Sequence, residues 1–301
     1  MAQELKIGLV GLDTSHVAAF TSLLNDPKNA NHVAGGKVVA AFPGGSKDFE
    51  LSWSRVEKFT KTLREKYSVE MKETPEAVAE AVDLLFITAV DGRVHREQFE
   101  RTVKFKRPTF VDKPFAVSVA DAEAMVRVAN AEKVPLMSCS SLRYAESLTA
   151  ALGGKREDVI GCDAYGPLSE VPTQPGLFFY GIHAIDMAVS VMGHGCNEVR
   201  ATRTTGGDVV TLAWPGGRIA SVRLAKDGHS KYGCTLHRKS GPQFVDAGAG
   251  KKPAYASLLE AILRSLPNGK SDVPADEMLD TIRIIEAANR SRETGLAVRV
   301  C

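Results

Sequence analysis

Val10-Gly11-Leu12-Asp13-Thr14-Ser15-His16 is the stretch whose reading decides the fold. It leaves an apolar run at residues 6–10, a first strand, and enters residues 17–24, whose apolar spacing predicts a helix. A strand that passes through a glycine turn directly into a helix opens a doubly wound α/β sheet. There the pattern G-x-G-x-x-G lets backbone approach a pyrophosphate, and the helix start offers N–H groups and positive potential. Gly11 fits the first glycine, but Asp13 stands at the second and His16 at the third. A carboxylate about 4 Å from a phosphate costs on the order of 4 kcal/mol at an effective dielectric of about 20, an upper bound because the side chain can rotate away. Close pyrophosphate binding is therefore expected to be handicapped. The other reading is that Asp13 or Thr14 caps the helix, a role worth about 1 kcal/mol. Both readings stand at this level.

Outward from that turn, short apolar runs alternate with amphipathic stretches, the pattern of βαβ units. A polar loop at 25–36 leads to a second strand at 37–42. Residues 53–67 carry Trp53, Val56, Phe59, Leu63 and Tyr67 at helical spacing. Thr74-Pro75 opens a short helix, since proline suits a first helical position. Residues 82–88 form a continuous apolar run of the kind buried on both faces of a parallel sheet. A helix at 93–103, a strand at 109–111, a helix at 118–132 and a strand at 135–139 complete a doubly wound sheet of about six strands.

Composition changes after about residue 143: glycine and proline thicken, and the strands become adjacent. Residues 198–204, 209–214 and 218–224 read as an antiparallel meander, with Trp214-Pro215-Gly216-Gly217 as a turn and Asp227-Gly228 as another. Helices at 254–266 and 275–292 follow, the second ending at Gly295 before a strand-like 297–300. The expected division is a Rossmann-type domain over 1–142 and an α/β domain with an open, mainly antiparallel sheet over 143–301. The final helix, about 275–294, is expected to pack back on the first domain.

Composition narrows the partners. The 301 residues are 44% hydrophobic and 25% charged with a net charge of +2. The basic residues are scattered, which argues against nucleic acid or an anionic membrane and favours a small molecule. The opening Met1-Ala2-Gln3-Glu4-Leu5-Lys6 lacks a basic-then-apolar leader, so cytoplasmic residence is expected. The five cysteines are odd in number and far apart, with no C-x-x-C, and read as reduced structural thiols.

Several residues carry candidate chemistry. The end of the second strand, Ala40-Ala41-Phe42-Pro43-Gly44-Gly45-Ser46-Lys47, lacks the acid that holds an adenosine ribose. Ser46 and Lys47 there read either as a receiver for a 2′-phosphate or as a solvated turn. Lys113 in Asp112-Lys113-Pro114 follows a buried strand at the carboxyl edge of the sheet, where ligands of such sheets collect; a surface lysine is the other reading. His183 and Asp186 in Gly181-Ile182-His183-Ala184-Ile185-Asp186 share a helix face by spacing, as a site or as a buried, mutually satisfied pair. Arg143 reads as a carboxylate or hydroxyl binder or as a salt bridge between domains. Asp13, His16, Asp91, His95 and Asp112 all follow strands of one sheet and make a minor metal-site reading, though such residues also serve as caps.

Taken in order, these motifs resemble the glucose-fructose oxidoreductase, inositol dehydrogenase and MocA (Gfo/Idh/MocA) family. Asp112-Lys113-Pro114 is similar to its E-K-P, His95 to the histidine opening the helix after its fourth strand, and Gly181 to Asp186 to its G-x-H-x-x-D. The closing Ile284-Ile285-Glu286-Ala287-Ala288-Asn289-Arg290-Ser291-Arg292-Glu293-Thr294-Gly295 resembles its last helix. The resemblance implies a Rossmann domain, a second domain whose open sheet forms an oligomer interface, NAD or NADP, and oxidation of a sugar or polyol hydroxyl. It implies Lys113 and His183 as catalytic, His183 as acid/base and Lys113 orienting the same oxygen. The implied cofactor contacts are Gly11, Leu12, Asp13, Thr14, Ser15, His16, Ser46, Lys47, Val90, His95 and Asp112, and the substrate contacts Arg143, Tyr180 and Asp186. No metal is expected, and a homo-dimer or homo-tetramer is. The family's aspartate four positions before the histidine is Phe179 here. That departure, with Asp13, motivates two rival readings: a redox-neutral or metal-assisted enzyme on the same scaffold, and a ligand-binding protein without turnover.

Overall fold

The computed structural model describes residues 4–300. The reading of Met1-Ala2-Gln3 and the fifth cysteine, Cys301, lie outside the described residues. The chain gathers into two units. One holds the chain up to Ala116 with Ala120–Cys139 and Tyr255–Ala275; the other holds Val117–Val119, Ser140–Ala254 and the chain from Asp276 onward. The segment that joins the first unit late in the sequence is thus 255–275, just ahead of the helix expected to do so.

The first unit follows the alternation of its sequence: β1 (Leu5–Val10), α1 (Ser15–Asn25), β2 (Gly36–Phe42), α2 (Glu50–Tyr67), β3 (Glu70–Met71), α3 (Pro75–Ala81), β4 (Leu84–Ile87), α4 (His95–Thr102), β5 (Thr109–Val111), α5 (Val119–Glu132) and β6 (Leu136–Ser138). The strands pair in parallel in the order β3-β2-β1-β4-β5-β6. Leu84, Leu85, Phe86 and Ile87 have no exposure, as a central parallel strand covered on both faces requires. Val82 falls outside β4, at the end of α3. Helix α2 begins three residues before the predicted Trp53. That start buries the small Ser52 and leaves Trp53 53% exposed, contrary to its place in the predicted apolar stripe.

The second unit contains α6 (Glu146–Leu152), β7 (Val159–Pro167), α7 (Gly181–Met192), β8 (Glu198–Thr204), β9 (Gly207–Ala213), β10 (Ile219–Ala225), β11 (Gly233–Arg238) and β12 (Gly241–Asp246). α8 (Ala254–Ser265) belongs to the first unit from Tyr255 on, and α9 (Ala275–Thr294) and β13 (Val298–Arg299) complete the second. The sheet runs β12-β11-β7-β10-β9-β8-β13, antiparallel except for β7 beside β10. Helix α7 packs on β7 and β10, and every residue of it except His183 is buried. The opposite face of the sheet stays open, with Ile219 55% and Phe244 66% exposed and Tyr165 stacked on Phe244. Among the described residues no helix is long and apolar enough to cross a membrane.

Candidate active site

The glycine turn is folded tightly into its own unit. Gly11 has φ +95°, and a Cβ there would lie 2.6 Å from the Ala89 nitrogen, so only glycine fits against the loop after β4. The Gly11 and Leu12 N–H groups donate to the Phe42 and Pro43 carbonyls at 2.9 and 2.7 Å. Asp13 has no exposure: one carboxylate oxygen accepts from the Ser52 hydroxyl at 2.6 Å, the other from the Val90 N–H at 2.9 Å. Burial pushes its pKa up, against those hydrogen bonds and the nearby His95. The repulsion expected at this turn is therefore not exerted, because the carboxylate faces into the protein. Gly11, Leu12, Asp13 and Val90 hold the turn in place through these contacts.

Thr14, not Asp13, caps α1, its extended backbone and hydroxyl receiving the His16 N–H at 3.4 Å. Ser15 is exposed at the first turn of that helix. The turn fits a pyrophosphate in one respect: the helix start is accessible at Ser15 and the acid beside it is turned away. Lys47 is exposed and Ser46 half-buried, with the Ser46 N–H donating to Ser52 at 2.8 Å. Arg93 pins this loop to the one after β4 through bidentate contacts with Asp48 and Asp91.

His95 is corrected from a cofactor contact to framework. It is wholly buried, and its ring nitrogens lie 2.8 Å from the Pro114 and Ala89 carbonyls, so it ties the loop after β4 to the loop after β5 and meets no solvent. His16 and Asp112 are taken up by each other, Nδ1 to Oδ2 at 2.5 Å, while the other oxygen accepts the Lys113 N–H at 2.8 Å. Burial alone would raise the Asp112 pKa, but the His16 imidazole, the Lys113 charge and that N–H hold it below the ordinary value. Lys113 is half-buried at the carboxyl edge of the sheet. Desolvation lowers its pKa, Asp112 opposes the shift, and Arg55 adds to it. The five-residue metal reading fails here, since Asp13, His16, Asp91, His95 and Asp112 are dispersed among these separate partners. Among the described residues no cluster of His, Cys, Asp and Glu is placed to hold a metal.

In the second unit the motif splits. His183 Nδ1 lies 2.7 Å from the Ser140 hydroxyl, and the Ser140 N–H donates to Asp186 at 3.0 Å, so the expected pair is joined through a serine that sequence reading missed. Asp186 and Arg143 are corrected from substrate contacts to a buried ion network. Arg143 binds Asp186 at 2.8 Å and also Glu277, Arg156 reaches Glu277 at 2.5 Å, and Thr281 donates to Asp186 at 3.1 Å. Burial would raise the Glu277 pKa, yet Arg143 and Arg156 hold it low. Phe179 is buried and meets Tyr180 edge-on at 4.8 Å. Tyr180, 38% exposed, lies 6.1 Å from the His183 ring, and Tyr232 lies 5.4 Å from it. Ser140 was findable as a hydroxyl two residues past β6, at the carboxyl edge of the sheet; Glu277 and Arg156 belong to no local pattern. Cys139, Cys162, Cys196 and Cys234 are buried and form no disulfide.

Residues 5–139 match the Gfo/Idh/MocA family, described as an oxidoreductase family with an NAD-binding Rossmann fold. Solved structures share the whole fold at low identity. Myo-inositol 2-dehydrogenase from Lactobacillus plantarum is 16% identical with a TM-score of 0.77, covering 99% of this chain and 100% of its own. Myo-inositol dehydrogenase from Lactobacillus casei, in complex with NAD(H) and myo-inositol, is 15% identical with a TM-score of 0.76, over 99% and 97%. An oxidoreductase from Agrobacterium radiobacter, in complex with NAD+, L-tartaric acid and magnesium, is 19% identical with a TM-score of 0.74, over 99% of each chain. No curated protein sequence matches the chain.

Proposed function

We propose, from the match of residues 5–139 to the Gfo/Idh/MocA family of NAD-binding oxidoreductases, that this chain interconverts a hydroxyl and a carbonyl on a sugar, polyol or close derivative. The observation that carries the reading is Lys113: a lysine at the carboxyl edge of a parallel sheet, partly withdrawn from water, with its pKa lowered by desolvation. His183 supports it as the one residue of an otherwise buried helix that keeps solvent access. The substrate class rests on the relatives that bind myo-inositol or act on it.

Bound NAD supplies the hydride acceptor at its nicotinamide. Thr14 and Ser15 at the start of α1 would receive the pyrophosphate, and Ser46 and Lys47 the adenosine side, where the exposed lysine admits a 2′-phosphate as well. In the tautomer with Nδ1–H donating to Ser140, His183 presents Nε2 as the base that takes the substrate's hydroxyl proton. The family resemblance assigns Lys113 to that same oxygen, where its ammonium would steady the charge the oxygen acquires, and Tyr180, beside His183, would meet the substrate. A hydroxyl rather than a carboxylate holds the histidine, which is how the site works with Phe179 in place of the family's aspartate. The rival readings lose the support of Asp13, whose charge is turned inward.

This reading also has the protein cytoplasmic and a homo-dimer or homo-tetramer, assembled through the open face bearing Tyr165, Ile219 and Phe244; light scattering measures the subunit number. Calorimetric titration with NAD+, NADH, NADP+ and NADPH, followed by turnover on a polyol panel, tests the whole. Saturable dinucleotide binding and reduction of NAD+ by at least one polyol are expected. No binding of any dinucleotide at millimolar concentration overturns the proposal.

A further inference from the structure

Two departures of this chain from the patterns it otherwise follows meet in space. His16 stands where the glycine turn has its third glycine, and Asp112 replaces the glutamate of E-K-P. His16 lies in the first turn of α1, which follows β1, and Asp112 directly follows β5; β4 separates these strands in the sheet, so the contact crosses the end of a strand and needs a side chain of imidazole reach at position 16. The His16 ring is held 4.9 Å from Tyr255 and 5.8 Å from Phe20. Phe20 meets Phe86 at 6.1 Å and Phe86 meets Phe110 at 5.5 Å, two residues before Asp112. The His16 ring thus heads an aromatic column that ends two residues before Asp112.

We propose that His16 is a positioning residue for Lys113, acting through Asp112: it occupies one carboxylate oxygen so that the negative charge beside the lysine ammonium is shared rather than captured. The inference rests on the reading of Lys113 as catalytic. One Asp112 oxygen holds the Lys113 N–H and the other holds His16, in a side chain with only 4% of the residue exposed, where water is a poor substitute. Without the imidazole, the freed oxygen turns its charge on the Lys113 ammonium, whose field already acts on Asp112. Arg55 from α2 also faces Lys113 and is constant across the variants below, while Tyr255 is the other titratable group against His16.

The test is the pH dependence with which limiting acetic anhydride acylates Lys113 in the full chain, read by peptide mass spectrometry. His16→Phe keeps the ring packed on Phe20 and Tyr255 but removes its nitrogens, and raises the Lys113 midpoint by roughly half to one pH unit. His16→Asn, which keeps an N–H donor near the place of Nδ1, stays close to wild type. Asp112→Asn removes the charge and lowers the midpoint by about one unit. An unchanged or lowered midpoint in His16→Phe overturns the proposal; should that variant not fold, His16→Leu is read in the same way. Turnover by Lys113→Met separates the two readings, since a variant that stays active defeats the catalytic role of Lys113 and leaves the titration result standing.

Discussion

The polar groups at the carboxyl edge of the first sheet and those beneath α7 in the second unit are satisfied by different means. At the sheet edge the partners are mostly backbone: Val90 N–H for Asp13, two carbonyls for His95, Lys113 N–H for Asp112. Beneath α7 they are opposite charges, Arg143 and Arg156 against Asp186 and Glu277. In each region most motif residues serve the frame, while Lys113 in the first and His183 in the second keep contact with solvent. A backbone-satisfied group fixes the path of a loop, whereas a charge network fixes the packing of helices and is costly to break from one side.

That contrast predicts unequal damage. Arg143→Met strands two buried carboxylates and lowers unfolding stability by about 3–5 kcal/mol in denaturant melts. Asp13→Ala leaves the Val90 N–H and the Ser52 hydroxyl without their acceptor and costs about 1–3 kcal/mol. Equal losses would erase the distinction.

The two regions also respond oppositely to acid. Glu277 is held below its ordinary value of 4.5, so its contribution is present above that value and lost as pH falls through its folded pKa. Asp13 is raised above 3.8, so the folded state holds the extra proton and stability declines as pH rises from there through its folded pKa. Unfolding free energy measured against pH is expected to lose a rising slope in Glu277→Gln and a falling one in Asp13→Asn. Parallel slopes in the two variants would contradict the assignment.

Much of the fold was legible in the sequence because parallel strands read as unbroken apolar runs, and residues 198–224 alternate as a meander. Strand β7 escaped notice because Gly161, Gly166 and Pro167 interrupt its alternation, and the β11–β12 hairpin because glycines open both strands. Within the candidate site, motif spacing located Lys113 and His183. It did not show which neighbours were frame, because the partners of Asp13, Arg143 and Asp186 lie 39 to 134 residues away and burial is set by tertiary packing. The His16–Asp112 contact spans 96 residues and joins two positions that look like unrelated departures when read in line.

The most direct test of the account is turnover in Lys113→Met, His183→Ala and the double variant with a responsive polyol and NAD+. Each single change is expected to lower kcat by roughly 10²–10⁴-fold, and the double to be little worse than the worse single, as for two groups serving one hydroxyl. A double variant whose loss equals the product of the two singles would show that the lysine and the histidine work independently, and would contradict the account.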